Sequence, residues 1–131
     1  MKYIDIQNDI VKRYRIRLRP DSDCWGRTHA HIKQRTVCKW KQRNSVASTF
    51  ALFHEIGHIV NNKGYLRRAE QEYYATVWAI DMFREYGLDV PERIIDNFQK
   101  YIDSEVRRGV RRGGTNYGDL SLTKYIQGGV K

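Results

Sequence analysis

The hydrophobic residues near the start of the chain change their spacing within the first twenty positions. Between Tyr3 and Tyr14 they recur at nearly helical intervals, and the stretch 15–19 then alternates basic and aliphatic residues. Recurrence every three or four residues is typical of an amphipathic helix, whereas strict alternation is typical of a strand. The pattern therefore predicts a short helix that leads into an extended segment.

Two runs with the composition of β-strands come next. They cover 25–32 and 35–41, and only a few polar residues separate them. The sequence Asp21-Ser22-Asp23, which precedes the first run, consists of residues that turns favour. The two runs therefore predict a β-hairpin.

Beyond this hairpin the hydrophobic spacing becomes helical again, and three helices are predicted. The first begins near Ser45 or Ser48, either of which can cap a helix N-terminus, and it ends before Gly64. The second covers about 67–86 and the third about 91–108, each followed directly by a glycine.

This order of elements predicts an α+β protein in which a helix packs on a small sheet and further helices follow. A chain of 131 residues is the size of one domain. We expect a single domain over 1–108 and a basic, glycine-rich C-terminal tail over 109–131 that is loosely ordered.

The net charge of +9 is unevenly distributed, with two basic ends and an acidic middle. Basic ends can attract nucleic acid or an acidic partner, although solvated surface is the more ordinary explanation. No apolar run approaches the ~20 residues of a membrane span, and the start of the chain does not resemble a secretion signal. We therefore expect a soluble, cytoplasmic protein.

The strongest chemical signal is the sequence His-Glu-Ile-Gly-His at positions 54–58. His54 and His58 are one helical turn apart, so both imidazoles project from one face and can bind a single Zn²⁺. Glu55 lies about 100° around the helix from His54, where it can reach a water molecule beside the ion. This HExxH pattern is typical of zinc metallopeptidases.

A catalytic zinc needs a third protein ligand, and no histidine follows His58. Glu70 and Glu72, at the start of the next helix, compete for this role. On a helical wheel Glu72 lies in the hydrophobic stripe and Glu70 on the polar side. A buried carboxylate is costly unless paired or metal-bound, and the helix offers no basic neighbour on that face. Glu72 is therefore favoured, and Asp119 is a weaker alternative.

Two motifs together resemble the ImmA/IrrE family of bacterial and phage metallopeptidases. The family pattern is HELGH followed by approximately E-x-x-A-N-x-F-A, which the chain approaches at 54–58 and at 72–79. Thr76 and Trp78 stand where the family usually has Asn and Phe. The resemblance, over roughly 1–90, implies a minimal zincin fold and cleavage of a protein partner, in that family often a helix-turn-helix repressor of a mobile element or stress response.

These features predict a zinc-dependent metallopeptidase in which His54, His58 and Glu72 hold Zn²⁺ and Glu55 is the general base. One alternative is a zinc-containing binding module that acts on a partner protein without cleavage. Glu55 argues against it, because a structural zinc site needs no carboxylate beside a water molecule. The other is a basic nucleic-acid-binding protein, for which the sequence has no recognised motif.

Peptide hydrolysis also needs a donor for the oxyanion that develops on the scissile carbonyl. The sequence does not single out one residue for this role. The candidates are Tyr65, Tyr73, Tyr74, His29 and His31.

Overall fold

The computed structural model describes residues 2–20, 29–38, 40–61 and 66–125. Contacts divide the chain into two compact units, Met1–Asn62 and Lys63–Lys131. The described elements, in chain order, are α1 (Tyr3–Arg13), β1 (Arg17–Arg19), β2 (His29–His31), β3 (Thr36–Cys38), α2 (Val46–Val60), α3 (Arg68–Glu85), α4 (Glu92–Arg111) and a short 3-10 helix (Thr123–Tyr125). The predicted α+β class is confirmed, and the domain boundary predicted at 108 stays a prediction.

The first unit contains a three-stranded sheet in the order β1-β3-β2. The central strand β3 pairs in parallel with β1, with Val37 opposite Leu18, and antiparallel with β2, with Val37 opposite Ala30. The predicted hairpin is thus confirmed for the described parts of both runs. Positions 21–28 and Lys39 lie outside the described residues.

Helix α2 packs against α1, β2 and β3 within the first unit. Its N-terminus is capped by Ser45, whose Oγ accepts a hydrogen bond of 3.1 Å from the backbone N–H of Ser48. Gln7 of α1 is fully buried, and its Nε2 donates to Thr49 Oγ1 at 2.9 Å and to the Arg43 carbonyl at 2.8 Å. Helix α1 therefore fixes the beginning of α2. The end predicted at Gly64 lies outside the described residues.

Most of the buried apolar side chains of the first unit come from α1, β3 and α2, and Ile16 and Trp40 add to them from the segments beside β1 and β3. Burial of side chains of this size stabilises the folded state by about 1.5–3 kcal/mol each. The most completely buried are Ile6, Ile10, Val37, Phe50, Leu52, Phe53 and Ile56.

In the second unit α3 packs against α4. Gly87 ends α3 as predicted, with a φ of 75° that favours glycine. Its N–H donates to the Arg84 carbonyl at 2.9 Å, and the N–H of Leu88 donates to the Phe83 carbonyl at 2.9 Å. No helix in the described ranges is long and apolar enough to cross a lipid bilayer.

The predicted end of the last helix is wrong, because α4 continues through Gly109 to Arg111. A Cβ atom on Gly109 would lie 1.7 Å from the hydroxyl oxygen of Tyr117. Position 109 therefore requires glycine because the Tyr117 ring occupies the space that a side chain would fill. Gly109 does not end the helix.

The expectation of a loosely ordered tail is also wrong for residues 112–125. Leu122 is fully buried, and its backbone N–H donates to Gln99 Oε1 of α4 at 2.6 Å. The Arg67 guanidinium lies 3.7 Å from the centre of the Tyr117 ring, a cation–π contact. These contacts fasten the segment to α3 and α4. Residues 126–131 lie outside the described part of the chain.

We expect Gly109→Ala to lower the free energy of unfolding by about 1–3 kcal/mol, because the new methyl group would overlap the Tyr117 hydroxyl. Helix propensity alone predicts the opposite sign, a gain of about 1 kcal/mol. Unfolding in denaturant, monitored by circular dichroism, shows whether the free energy of unfolding falls or rises. Gly118→Ala is the matched control, because its Cβ would meet no atom within 4 Å. A more stable Gly109→Ala protein would contradict this packing.

Candidate metal centre

Helix α2 carries both histidines of the HExxH sequence on one face. The Nε2 atoms of His54 and His58 are 3.2 Å apart. Their ring centroids are 4.7 Å apart, with the ring planes at 87°. His54 is buried and His58 is half-buried. The spacing along the helix therefore makes two imidazole nitrogens face each other.

The distance between these nitrogens fits two ligands of one tetrahedral ion. Zn–N bonds are about 2.0–2.1 Å long, so two ligating nitrogens at the tetrahedral angle lie about 3.3 Å apart. The observed 3.2 Å also suits a hydrogen bond between one protonated and one unprotonated ring nitrogen. Metal binding would move that proton to Nδ1 of the same ring, because a ligating nitrogen must be unprotonated. The pair therefore needs little rearrangement to bind an ion.

Glu55 follows His54 directly in the sequence and is half-buried. It is the only acidic residue of α2. One helical step rotates its side chain about 100° from that of His54, so it lies beside the arc that the two histidines occupy. A carboxylate in that position can exchange protons with a water molecule near the imidazole pair.

Glu72 belongs to the second unit, on the buried side of α3, and is only 2% exposed. The predicted hydrophobic stripe is confirmed around it. The buried members are Ala69, Ala75, Thr76, Ala79, Ile80 and Phe83. On the opposite side the exposed residues are Tyr74, Asp81, Arg84 and Glu85.

The prediction that α3 offers Glu72 no basic neighbour is wrong, because Arg68 of the same helix pairs with it. Arg68 Nε lies 3.2 Å from Glu72 Oε2. The two residues are one turn apart, which places them about 40° from each other around the helix. The sequence contains this signal, but a helical wheel that starts at Glu72 and counts only toward the C-terminus does not include Arg68. The ion pair offsets part of the cost of burial, so burial alone does not require a metal ion.

The chain was compared with protein-family models, curated proteins and solved structures, and none of them matched. The resemblance to the ImmA/IrrE family therefore stays a prediction from the two short motifs at 54–58 and 72–79.

Glu70 and Asp119, the two alternatives to Glu72 as the third ligand, have local roles. Glu70 Oε1 accepts hydrogen bonds of 3.0 Å from both the backbone N–H and the Nε of Arg67, and thereby caps the start of α3. The side-chain hydrogen bond from Arg67 holds the pKa of Glu70 below its ordinary value. Asp119 Oδ1 accepts a hydrogen bond of 3.0 Å from the backbone N–H of Ser121. Each carboxylate therefore stabilises the backbone beside it.

The candidate oxyanion donors differ in their surroundings. Burial raises the pKa of Tyr73 to about 12, so its hydroxyl keeps its proton at neutral pH. Tyr74 is exposed on α3, and Tyr65 lies outside the described residues. His29 and His31 are on β2, the edge strand that contacts α2. The geometry within each unit does not select one of these donors.

We expect Glu70→Gln to lower the free energy of unfolding by less than about 1 kcal/mol at neutral pH, because an ion pair that remains partly open to solvent is screened and contributes little. The folded-state pKa is depressed, so this contribution is present above the ordinary pKa of 4.5 and is lost as the pH falls through the folded-state value. Unfolding of wild type and variant at pH 7 and pH 3 measures the change. Glu92→Gln, in the first turn of α4, controls for the helix dipole. An equal difference at both pH values would contradict the ionic contribution.

Proposed function

We propose that this protein is a zinc-dependent metallopeptidase in which His54, His58 and Glu72 bind the ion and Glu55 is the general base. The observation that carries the proposal is the 3.2 Å separation of the two histidine Nε2 atoms on α2. A helix that binds zinc needs this separation, and the carboxylate beside the pair provides the group that hydrolysis needs.

The chemistry is divided between the ion and the side chains. Zinc, when bound, supplies a Lewis acid that polarises a scissile carbonyl and activates water. Glu55 accepts a proton from the attacking water and returns it to the leaving amine. Glu55 lies on the same helix as His54 and His58, so the backbone holds the base at a fixed position relative to the two imidazole ligands.

Glu72 is proposed as the third ligand on the strength of its position in α3. It is an anionic oxygen donor on the buried face, and an anionic ligand offsets the charge of a dication. Two histidines and one carboxylate leave the fourth position for water or substrate, which is the arrangement of catalytic sites. A fourth protein ligand would instead indicate a structural site.

The proposed substrate is a polypeptide. Strand β2 contacts α2 and lies at the edge of the described sheet. An edge strand offers backbone N–H and C=O groups with which an extended peptide can pair. The resemblance to the ImmA/IrrE family extends the proposal to a protein partner such as a helix-turn-helix repressor, expected in the cytoplasm.

Nucleic-acid binding is a second candidate, which one observation favours. Four exposed arginines lie at the C-terminal end of α4: Arg107, Arg108, Arg111 and Arg112. Cations there also stabilise the helix through its dipole, so the cluster has a local role as well. Binding of duplex DNA that weakens steeply with salt and is lost in Arg111→Ala/Arg112→Ala would support this function.

We expect purified protein to bind one equivalent of zinc and to cleave an unstructured protein such as casein. His54→Ala and His58→Ala should lose tight zinc binding because each removes a ligand. Glu55→Gln should keep the zinc and lose cleavage by about 10²–10⁴-fold, because it removes only the general base. Metal analysis and a fluorescent cleavage assay measure both quantities.

The same measurements distinguish a metallopeptidase from a zinc-containing binding module that does not cleave its partner. A protein that carries no zinc and takes up none would overturn the proposed function. Unchanged cleavage by Glu55→Gln would overturn the general-base role. Zinc binding without cleavage of any protein offered would favour the binding module.

A further inference from the structure

We propose that Arg68 is a positioning residue of the metal site, whose guanidinium fixes the Glu72 carboxylate in the orientation that binds the ion. This inference rests on the proposed function and assigns a role to a residue outside the HExxH sequence. It comes from the contacts of Arg68 within the second unit.

The first contact is the ion pair with Glu72. Arg68 Nε is 3.2 Å from Oε2 of that carboxylate. The arginine side chain is 61% exposed and the carboxylate only 2%, so the long apolar stem of Arg68 carries its charge from the surface to a buried group. Such a contact restrains the rotation of a carboxylate and keeps its negative charge favourable in a buried position.

The second contact fixes the arginine itself. Its Nη2 donates a hydrogen bond of 3.2 Å to the hydroxyl of Tyr101 on α4. Glu105, buried one turn further along α4, also attracts the guanidinium electrostatically. Arg68 is therefore held by its own helix and by the neighbouring helix at once.

This arrangement depends on the shape of the guanidinium group. Nε lies 3.2 Å from Glu72 Oε2 as an ion pair while Nη2 of the same group donates to Tyr101, whereas a lysine ammonium is a single point charge on a flexible stem. Groups that orient metal ligands in this way contribute about 10–100-fold to metal affinity. The structure thus predicts that arginine is needed at position 68 even though it contacts no ion.

The experiment measures zinc affinity by competition with a chromophoric chelator, with thermal unfolding to verify the fold of each protein. Arg68→Ala should weaken zinc binding by about 10–100-fold, Arg68→Lys should restore part of the loss, and Tyr101→Phe should cost less than about 10-fold. Arg67→Ala is the matched control, because the neighbouring arginine pairs with Glu70. It should change the affinity less than twofold.

A double-mutant cycle separates positioning from general stability. If Arg68 acts through Glu72, Arg68→Ala should have no further effect on the residual zinc affinity of Glu72→Ala. An equal loss in both backgrounds would show a merely structural role and overturn the inference, as would wild-type affinity in a folded Arg68→Ala protein. If Arg68→Ala does not fold, the same cycle is run with Arg68→Lys. Absence of zinc binding by wild type would overturn the proposed function and this inference with it.

Discussion

The spacing of two histidines by one turn of α2 is the constraint on which the proposed chemistry depends. It brings their Nε2 atoms to 3.2 Å, close to the separation that a tetrahedral zinc requires. The helix holds this geometry because Ser45 caps its beginning and the buried Gln7 ties it to α1. The elements of the first unit therefore preorganise the pair, which reduces the conformational entropy lost on metal binding.

Glu70 and Glu72 carry the same carboxylate group but differ in function because they lie on different faces of α3. Glu70 caps α3 and Glu72 lies two residues later on the buried face. Burial makes the negative charge of Glu72 costly, and Arg68 offsets part of that cost. An anion that is buried and already oriented is suited to bind a cation, so the two observations support the same proposed role.

Local patterns were sufficient to predict the helices, the hairpin and the buried face of α3, because each depends on residues close in sequence. Pairing of β1 with β3 was not predicted, since it joins distant segments. The continuation of α4 through Gly109 depends on where Tyr117 lies, which no local rule reveals. The partnership of Arg68 with Glu72 was within reach of the sequence, because the two residues are one helical turn apart.

The coordination of bound zinc distinguishes the proposed ligand set from any other. X-ray absorption spectroscopy of the zinc-loaded protein counts the imidazole ligands and measures the metal–ligand distances. We expect two imidazole nitrogens at about 2.0–2.1 Å and oxygen ligands in the remaining positions, with a change in the oxygen shell in Glu72→Ala. A spectrum with fewer than two imidazoles, with sulfur, or unchanged by Glu72→Ala would contradict the proposed ligand set.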